Sequence, residues 1–143
     1  MDYIKELGFI PKILLVEDNP DSRKLYKESL ETAGFKVVEA CDGSEIESIV
    51  DHTFQVILCD TDMPNTNGDV ACKRLIEQGR IPESTLILGM SGDASYEEHW
   101  NDIAHSSGFL YKGMMNNIGS RVMSHFYNFK TGKSSIWKER MGK

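Results

Sequence analysis

Residues 55–69 read QVILCDTDMPNTNGD. The first six, QVILCD (55–60), make a short apolar run with β-branched Val56 and Ile57 and an acid at its end. Such a run fits a strand buried on both faces, as a parallel sheet requires. A turn-rich stretch follows, and Asp69 to Gln78, closed by Gly79, then reads as a helix. Val70, Ala71, Leu75 and the aliphatic part of Arg74 are its expected inward side.

The same alternation extends in both directions. Upstream, KILLVE (12–17) is another buried strand, and Asn19-Pro20 supplies an N-cap with proline at the first helical position. Leu25, Leu30 and Ala33 carry that helix to a glycine stop at Gly34. KVVEA (36–40) is the next strand. Asp42-Gly43-Ser44-Glu45 resembles a capping box, opening a helix with Ile46, Ile49 and Val50 inward. Downstream, STLILGM (84–90) is the fourth strand, entered from a turn at Pro82. Tyr96 to Ser106 is a helix ended by Gly108, FLY (109–111) a short fifth strand, and Ile118, Val122 and Phe126 the inward stripe of a last helix.

Strands separated by helical segments of about 10–15 residues imply crossover units. The expected fold is α/β, a doubly wound five-stranded parallel sheet flanked by five helices, in the flavodoxin-like strand order 2-1-3-4-5. The expected division is one domain over residues 1–128, with 1–10 as an N-terminal extension and 129–143 as a basic tail.

Composition agrees with one folded unit. Of 143 residues, 40% are hydrophobic and 27% charged, with 4 Pro and 12 Gly, so disordered and collagen-like classes are excluded. The longest apolar runs, Ile13 to Val16 and Val56 to Cys59, are far short of a bilayer span. MDYIKELGFIP (1–11) has acids and no apolar stretch, unlike a secretory signal. Three cysteines without metal-ligand spacing point to a reducing, cytoplasmic location. Cys41 and Cys59 fit buried positions, and Cys72 a half-exposed one. Residues 129–143 hold five basic and one acidic side chain, a net +4, while 1–128 hold 11 basic and 21 acidic, a net −10. The acidic body argues against nucleic acid as the main partner. The tail, with Ile136 and Trp137 among lysines, is expected either to be solvated or to dock on a partner.

Ligands of open parallel sheets bind outside the carboxyl ends of the strands. Glu17 and Asp18 stand at the end of strand one, Asp60 at the end of strand three, and Asp62 two residues on. Each like-charged pair at ~4 Å costs about 4 kcal/mol at an effective dielectric of 20, so the cluster needs a counter-charge. An all-oxygen ligand set with open positions suits Mg²⁺. Strand-end acids also cap helices and solvate sheet edges, which is reading enough for Glu17 or Asp62 alone; three acids at two strand ends favour a metal. Met90-Ser91-Gly92 brings a hydroxyl to the same rim, and Tyr111-Lys112 an ammonium. Together they could hold a tetrahedral oxyanion beside a divalent ion.

With LLVEDN (14–19), DTDMPNTNGD (60–69), MSGD (90–93) and GFLYKG (108–113) in order, the sequence resembles the receiver domain of two-component response regulators over residues 11–128. The resemblance implies that Asp60 accepts a phosphoryl group from a sensor histidine kinase, a histidine phosphotransfer protein or a small donor. It implies Mg²⁺ bound by Asp18 and Asp60 directly, by Glu17 through water and by the carbonyl of Asp62. Lys112 would pair with the phosphoryl oxygens. Ser91 would be the switch hydroxyl and Phe109 the aromatic that changes rotamer with it, a permanently buried core ring being the other reading of Phe109. The output would appear on the last two helices and strand five, and a downstream protein would read it. A homodimer of the activated form is left open. The chain would not be an enzyme beyond its own phosphoryl acceptance and hydrolysis. Glu17 for the family's first Asp and Ser91 for Thr are mild departures. Gly113 replaces the usual proline after Lys112, so a trans or rearranged loop is expected there. Asp62 and Asp93 occupy positions that tune hydrolysis in the family. Other readings are a receiver-like module that docks a partner without phosphorylation, a flavin-binding module and a fragment of a larger regulator. The intact acids and lysine count against the first, and the lack of a Ser/Thr/Gly-rich phosphate loop counts against the second.

Overall fold

The computed structural model describes residues 2–114, 117–133, 137, 139 and 140. Five strands, β1 (Lys12–Val16), β2 (Lys36–Ala40), β3 (Val56–Asp60), β4 (Leu86–Ser91) and β5 (Ser107–Tyr111), form one parallel sheet. Its order is β2-β1-β3-β4-β5, the flavodoxin-like order expected. The α-helices are α1 (Tyr3–Leu7), α2 (Pro20–Ala33), α3 (Gly43–Ile49), α4 (Gly68–Glu77), α5 (Glu97–Asn101) and α6 (Ile118–Thr131). Short 3-10 turns cover Ala94–Tyr96 and Lys112–Met114. The described residues thus hold six α-helices where five are expected, because the N-terminal extension contains α1, capped by the Asp2 carboxylate on Lys5 N–H. Tyr3 of α1 stacks obliquely on Tyr127 of α6, with centroids 4.9 Å apart.

The two-residue period of the strands builds two cores. Ile13, Leu15, Val56, Leu58, Leu86, Leu88 and Leu110 face α2 and α6. Leu14, Val16, Ile57, Cys59 and Ile87 face α3, α4 and α5. Burying each such side chain contributes roughly 1.5–3 kcal/mol, and the continuous apolar runs of β1 and β3 follow from having both faces covered.

Several local expectations change. Leu25 is 65% exposed, since the inward stripe of α2 is Tyr26, Leu30 and Ala33 and Leu25 sits about 100° off it. Val70 is likewise exposed, whereas Cys72 is buried rather than half-exposed. The cause lies at Gly68, where a Cβ would stand 2.1 Å from the Asp60 carbonyl oxygen. That close approach sets the rotation of α4 and turns Ala71, Cys72 and Leu75 inward. Cys59 and Cys72 become thiol neighbours, and burial pushes the Cys59 thiol well above its ordinary range. Cys41, expected inside, is exposed beside the carboxylate of Glu45.

The helix expected over 96–106 stops at Asn101. Ser107 then fastens the chain by donating its hydroxyl to the carbonyls of Trp100 (2.5 Å) and Ala104 (2.7 Å). Gly108 is therefore no helix stop but a residue of β5. Trp100 of α5 is fully buried, and only a glycine at position 89 leaves room for it: a Cβ there would lie 2.0 Å from its ring. Among the described residues, no helix is long and apolar enough to cross a membrane. Trp137 is packed against the body, while Ile136, Lys138 and Lys143 lie outside the described residues.

Candidate functional site

Strand register places the chemistry in one row. Val16 is paired with Cys59, Asp60 with Met90, and Ser91 with Tyr111. The residues at or just past these ends, Glu17, Asp18, Asp60, Ser91 and Lys112, therefore meet at the carboxyl edge of the sheet. Oxygen atoms of Glu17, Asp18 and Asp60 lie within 4.8 Å of one another. Glu17 is fully buried, Asp60 is 5% exposed, and Asp18 is the least buried of the three.

Lys112 supplies the counter-charge. Its Nζ donates to Glu17 Oε1 at 2.9 Å and lies 3.1 Å from Asp60 Oδ1. Among the described residues there is no cis peptide bond, so Lys112 reaches both acids through a trans link to Gly113. Burial, then the Asp60 hydrogen bond and charge, raise the Glu17 carboxyl to about 8, with Lys112 opposing them. Burial alone would lower Lys112, but its bond to Glu17 and the charges of both acids hold it above the usual lysine range. The Lys112 ammonium is thus the cation that both buried acids share.

Glu17 Oε2 is buried with no partner among the described residues. A buried carboxylate oxygen without a donor, beside two further acids, fits a hard divalent cation. The Glu17 carbonyl is held by the Arg23 guanidinium at 2.8 Å, and Arg23 also pairs with Glu39 at 3.5 Å.

The other expected residues are near but differently engaged. Ser91 is buried, and its Oγ accepts from Asp93 N–H at 3.0 Å. Asp93 is turned away to cap the following 3-10 turn through Ser95 N–H and Oγ. The Asp62 carboxylate stands outside the three-acid group and accepts from the Tyr96 hydroxyl at 3.2 Å. Phe109 packs, half-buried, into the core that holds Trp100.

Thr61 is the residue that sequence reasoning passed over. It is fully buried directly after Asp60. Its N–H donates to Asp60 Oδ1 at 3.0 Å, and its hydroxyl donates to the Met90 carbonyl at 2.9 Å and accepts from the Trp100 indole at 2.8 Å. A threonine beside a strand-end acid carries no signal of its own; the link exists only because Gly89 admits Trp100.

Comparisons with known proteins agree with this geometry. The family model for the response regulator receiver domain matches residues 13–117. The chain is 38% identical over 71 residues to the transcriptional regulatory protein CpxR of Escherichia coli, covering 50% of this chain and 31% of that protein. It is 33% identical over 90 residues to the aerobic respiration control protein ArcA of Escherichia coli, covering 56% and 38%. The chain therefore spans about a third of the length of these relatives. Among solved structures, the chemotaxis response regulator CheY4 of Vibrio cholerae is similar, with a TM-score of 0.70 and 26% identity over 82% of this chain and 98% of that one. A CheY-like receiver domain protein from Methanospirillum hungatei shares the fold, with a TM-score of 0.72 and 15% identity over 87% and 99%.

Proposed function

This chain belongs to the response regulator receiver domain family, and we propose that it is a signalling switch driven by phosphorylation of Asp60. The observation that carries the reading is the buried row at the strand ends, where Lys112 bridges Glu17 and Asp60 and Ser91 stands one strand away.

In this reading an oxygen of the Asp60 carboxylate attacks the phosphorus of a phosphohistidine on a sensor kinase or phosphotransfer protein. The P–O bond forms as the P–N bond breaks, and the imidazole leaves with its electron pair. Most of the catalysis is positioning and charge stabilisation. Thr61 N–H and Lys112 fix Asp60 Oδ1. The Lys112 ammonium then follows the phosphoryl oxygens as a point charge. Glu17, Asp18, Asp60 and the carbonyl of Asp62 would hold Mg²⁺, which when bound supplies charge neutralisation for acceptor and phosphoryl oxygens. Ser91 gives up Asp93 N–H to bond the phosphoryl group, and Phe109 fills the space that Ser91 vacates. The chain catalyses only its own phosphoryl acceptance and hydrolysis, works in the cytoplasm, and passes its signal to a downstream protein.

Intact mass after incubation with acetyl phosphate tests the reading. One added phosphoryl group that requires both Mg²⁺ and Asp60 is the expected result. An equal adduct on Asp60→Asn would sink the assignment of the acceptor.

A further inference from the structure

Beyond α6, Trp137 and Arg140 lie against the body of the protein. Trp137 is 4% exposed and its ring lies on Gly108 of β5, where a Cβ would stand 3.1 Å from Trp137 Cη2. Phe129 and His125 of α6 meet the ring edge-on, with centroids 5.5 and 6.3 Å away. The Arg140 guanidinium sits 5.6 Å from the centre of the Trp137 ring, a cation over an aromatic face. It donates to the Asn101 carbonyl (2.5 Å), the Asn101 side-chain oxygen (3.3 Å) and the Ala104 carbonyl (3.4 Å). Asn101 ends α5, and a carbonyl at a helix end lacks an intrahelical partner, so a cation is suited to it.

The two anchors belong to opposite faces. Trp137 is part of the core under α2 and α6, whereas α5 packs into the other core through Trp100. Strand β5 is the edge strand between them. Trp137 and Arg140 therefore straddle the edge of the sheet. The Arg140 anchor also connects to the acceptor. Asn101 follows Trp100, the Trp100 indole holds the Thr61 hydroxyl, and Thr61 N–H holds Asp60.

We propose that the segment around Trp137 and Arg140 is a strap, an intramolecular ligand of the α5–β5–α6 edge that loosens when Asp60 is phosphorylated. The trigger rests on the phosphorylation reading; the seating does not. A protein partner reads the switch by entering the recess the strap vacates. It fits with the same chemistry, an aromatic side chain over Gly108 and a cation on the carbonyls of Asn101 and Ala104.

The test uses the full chain labelled with 5-fluorotryptophan, whose two ¹⁹F resonances are assigned with Trp137→Phe. In Arg140→Ala the Trp137 resonance should move to a solvent-exposed position, and deuterium uptake over residues 105–114 should rise about tenfold. In the wild type, Mg²⁺ with beryllofluoride should move the Trp137 resonance in the same direction. An Arg140→Ala chain with both readouts unchanged overturns the seating. If acetyl phosphate labels Asp60 yet beryllofluoride leaves Trp137 in place, the strap is a static part of the fold and the proposal falls while the phosphorylation reading stands. If acetyl phosphate labels nothing and beryllofluoride moves neither resonance, the trigger falls together with that reading.

Discussion

Lys112 Nζ is 2.9 Å from Glu17 Oε1, and the two residues come from opposite ends of the chain, one past β5 and the other past β1. Only closure of the whole sheet brings them together. Removing the lysine leaves two buried acids facing each other without a cation. We expect Lys112→Ala to slow phosphoryl acceptance from acetyl phosphate on the order of 10²-fold, the loss typical of one fixed charge-stabilising donor, as read by the rate of mass increase.

The raised carboxyl of Glu17 sets a pH dependence. Its value in the fold is about 8 against 4.5 for an unperturbed glutamate, so between those values the native state binds more protons than the unfolded chain. Stability linked to Glu17 is full below the lower value and is lost as pH rises through the upper one. Without metal, thermal midpoints should fall from pH 5 to pH 8 and the fall should flatten in Glu17→Gln. Added Mg²⁺ should raise the midpoint more at pH 8 than at pH 6, because the ionised form is the one that holds a cation. A midpoint that climbs with pH in the metal-free wild type would contradict the shift.

Gly89 and Gly92 make a paired test of packing. A Cβ at Gly89 would lie 2.0 Å from the Trp100 ring, while one at Gly92 meets nothing within 4 Å. Gly89→Ala should destabilise by about 1–3 kcal/mol or more, in the manner of an overpacked core, and Gly92→Ala should be close to neutral. Urea titration followed by circular dichroism separates the two.

Ser91→Ala should leave phosphoryl acceptance largely intact and uncouple it from the rest of the fold. The hydroxyl now accepts from Asp93 N–H, so its loss should also reduce stability by about 1 kcal/mol. The discriminating comparison is mass increase against the change in tryptophan fluorescence. A variant that accepts the phosphoryl group and still gives the wild-type fluorescence change would remove Ser91 from the switching step.

What could be read from the sequence was what depends on local order. Apolar runs of strand length ending in acids place Glu17, Asp18 and Asp60 at carboxyl ends, and the flavodoxin-like strand order brings those ends side by side. What could not be read depends on one element's approach to another. Gly108 looks like a helix stop in sequence, yet it serves as the flat seat for Trp137. Cys72 and Val70 exchange their expected environments because Gly68 draws α4 onto the Asp60 carbonyl. Thr61 matters through Trp100, which in turn needs Gly89. In each case a missing side chain on one element decides where a side chain on another can go, and hydrophobic periodicity carries no trace of that.

The sheet has two free margins, and they are guarded by unlike means. Strand β2 is five residues long, with Val37 and Val38 half-buried, Lys36 and Glu39 facing solvent and Glu39 held between Arg23 and Lys27. Short length and outward charge make it a poor template for a strand of another molecule. At the other margin no comparable charge lies within β5, and Trp137 and Arg140 stand across it instead. One margin is thus blunted by charge within its own strand, the other by two side chains from beyond α6.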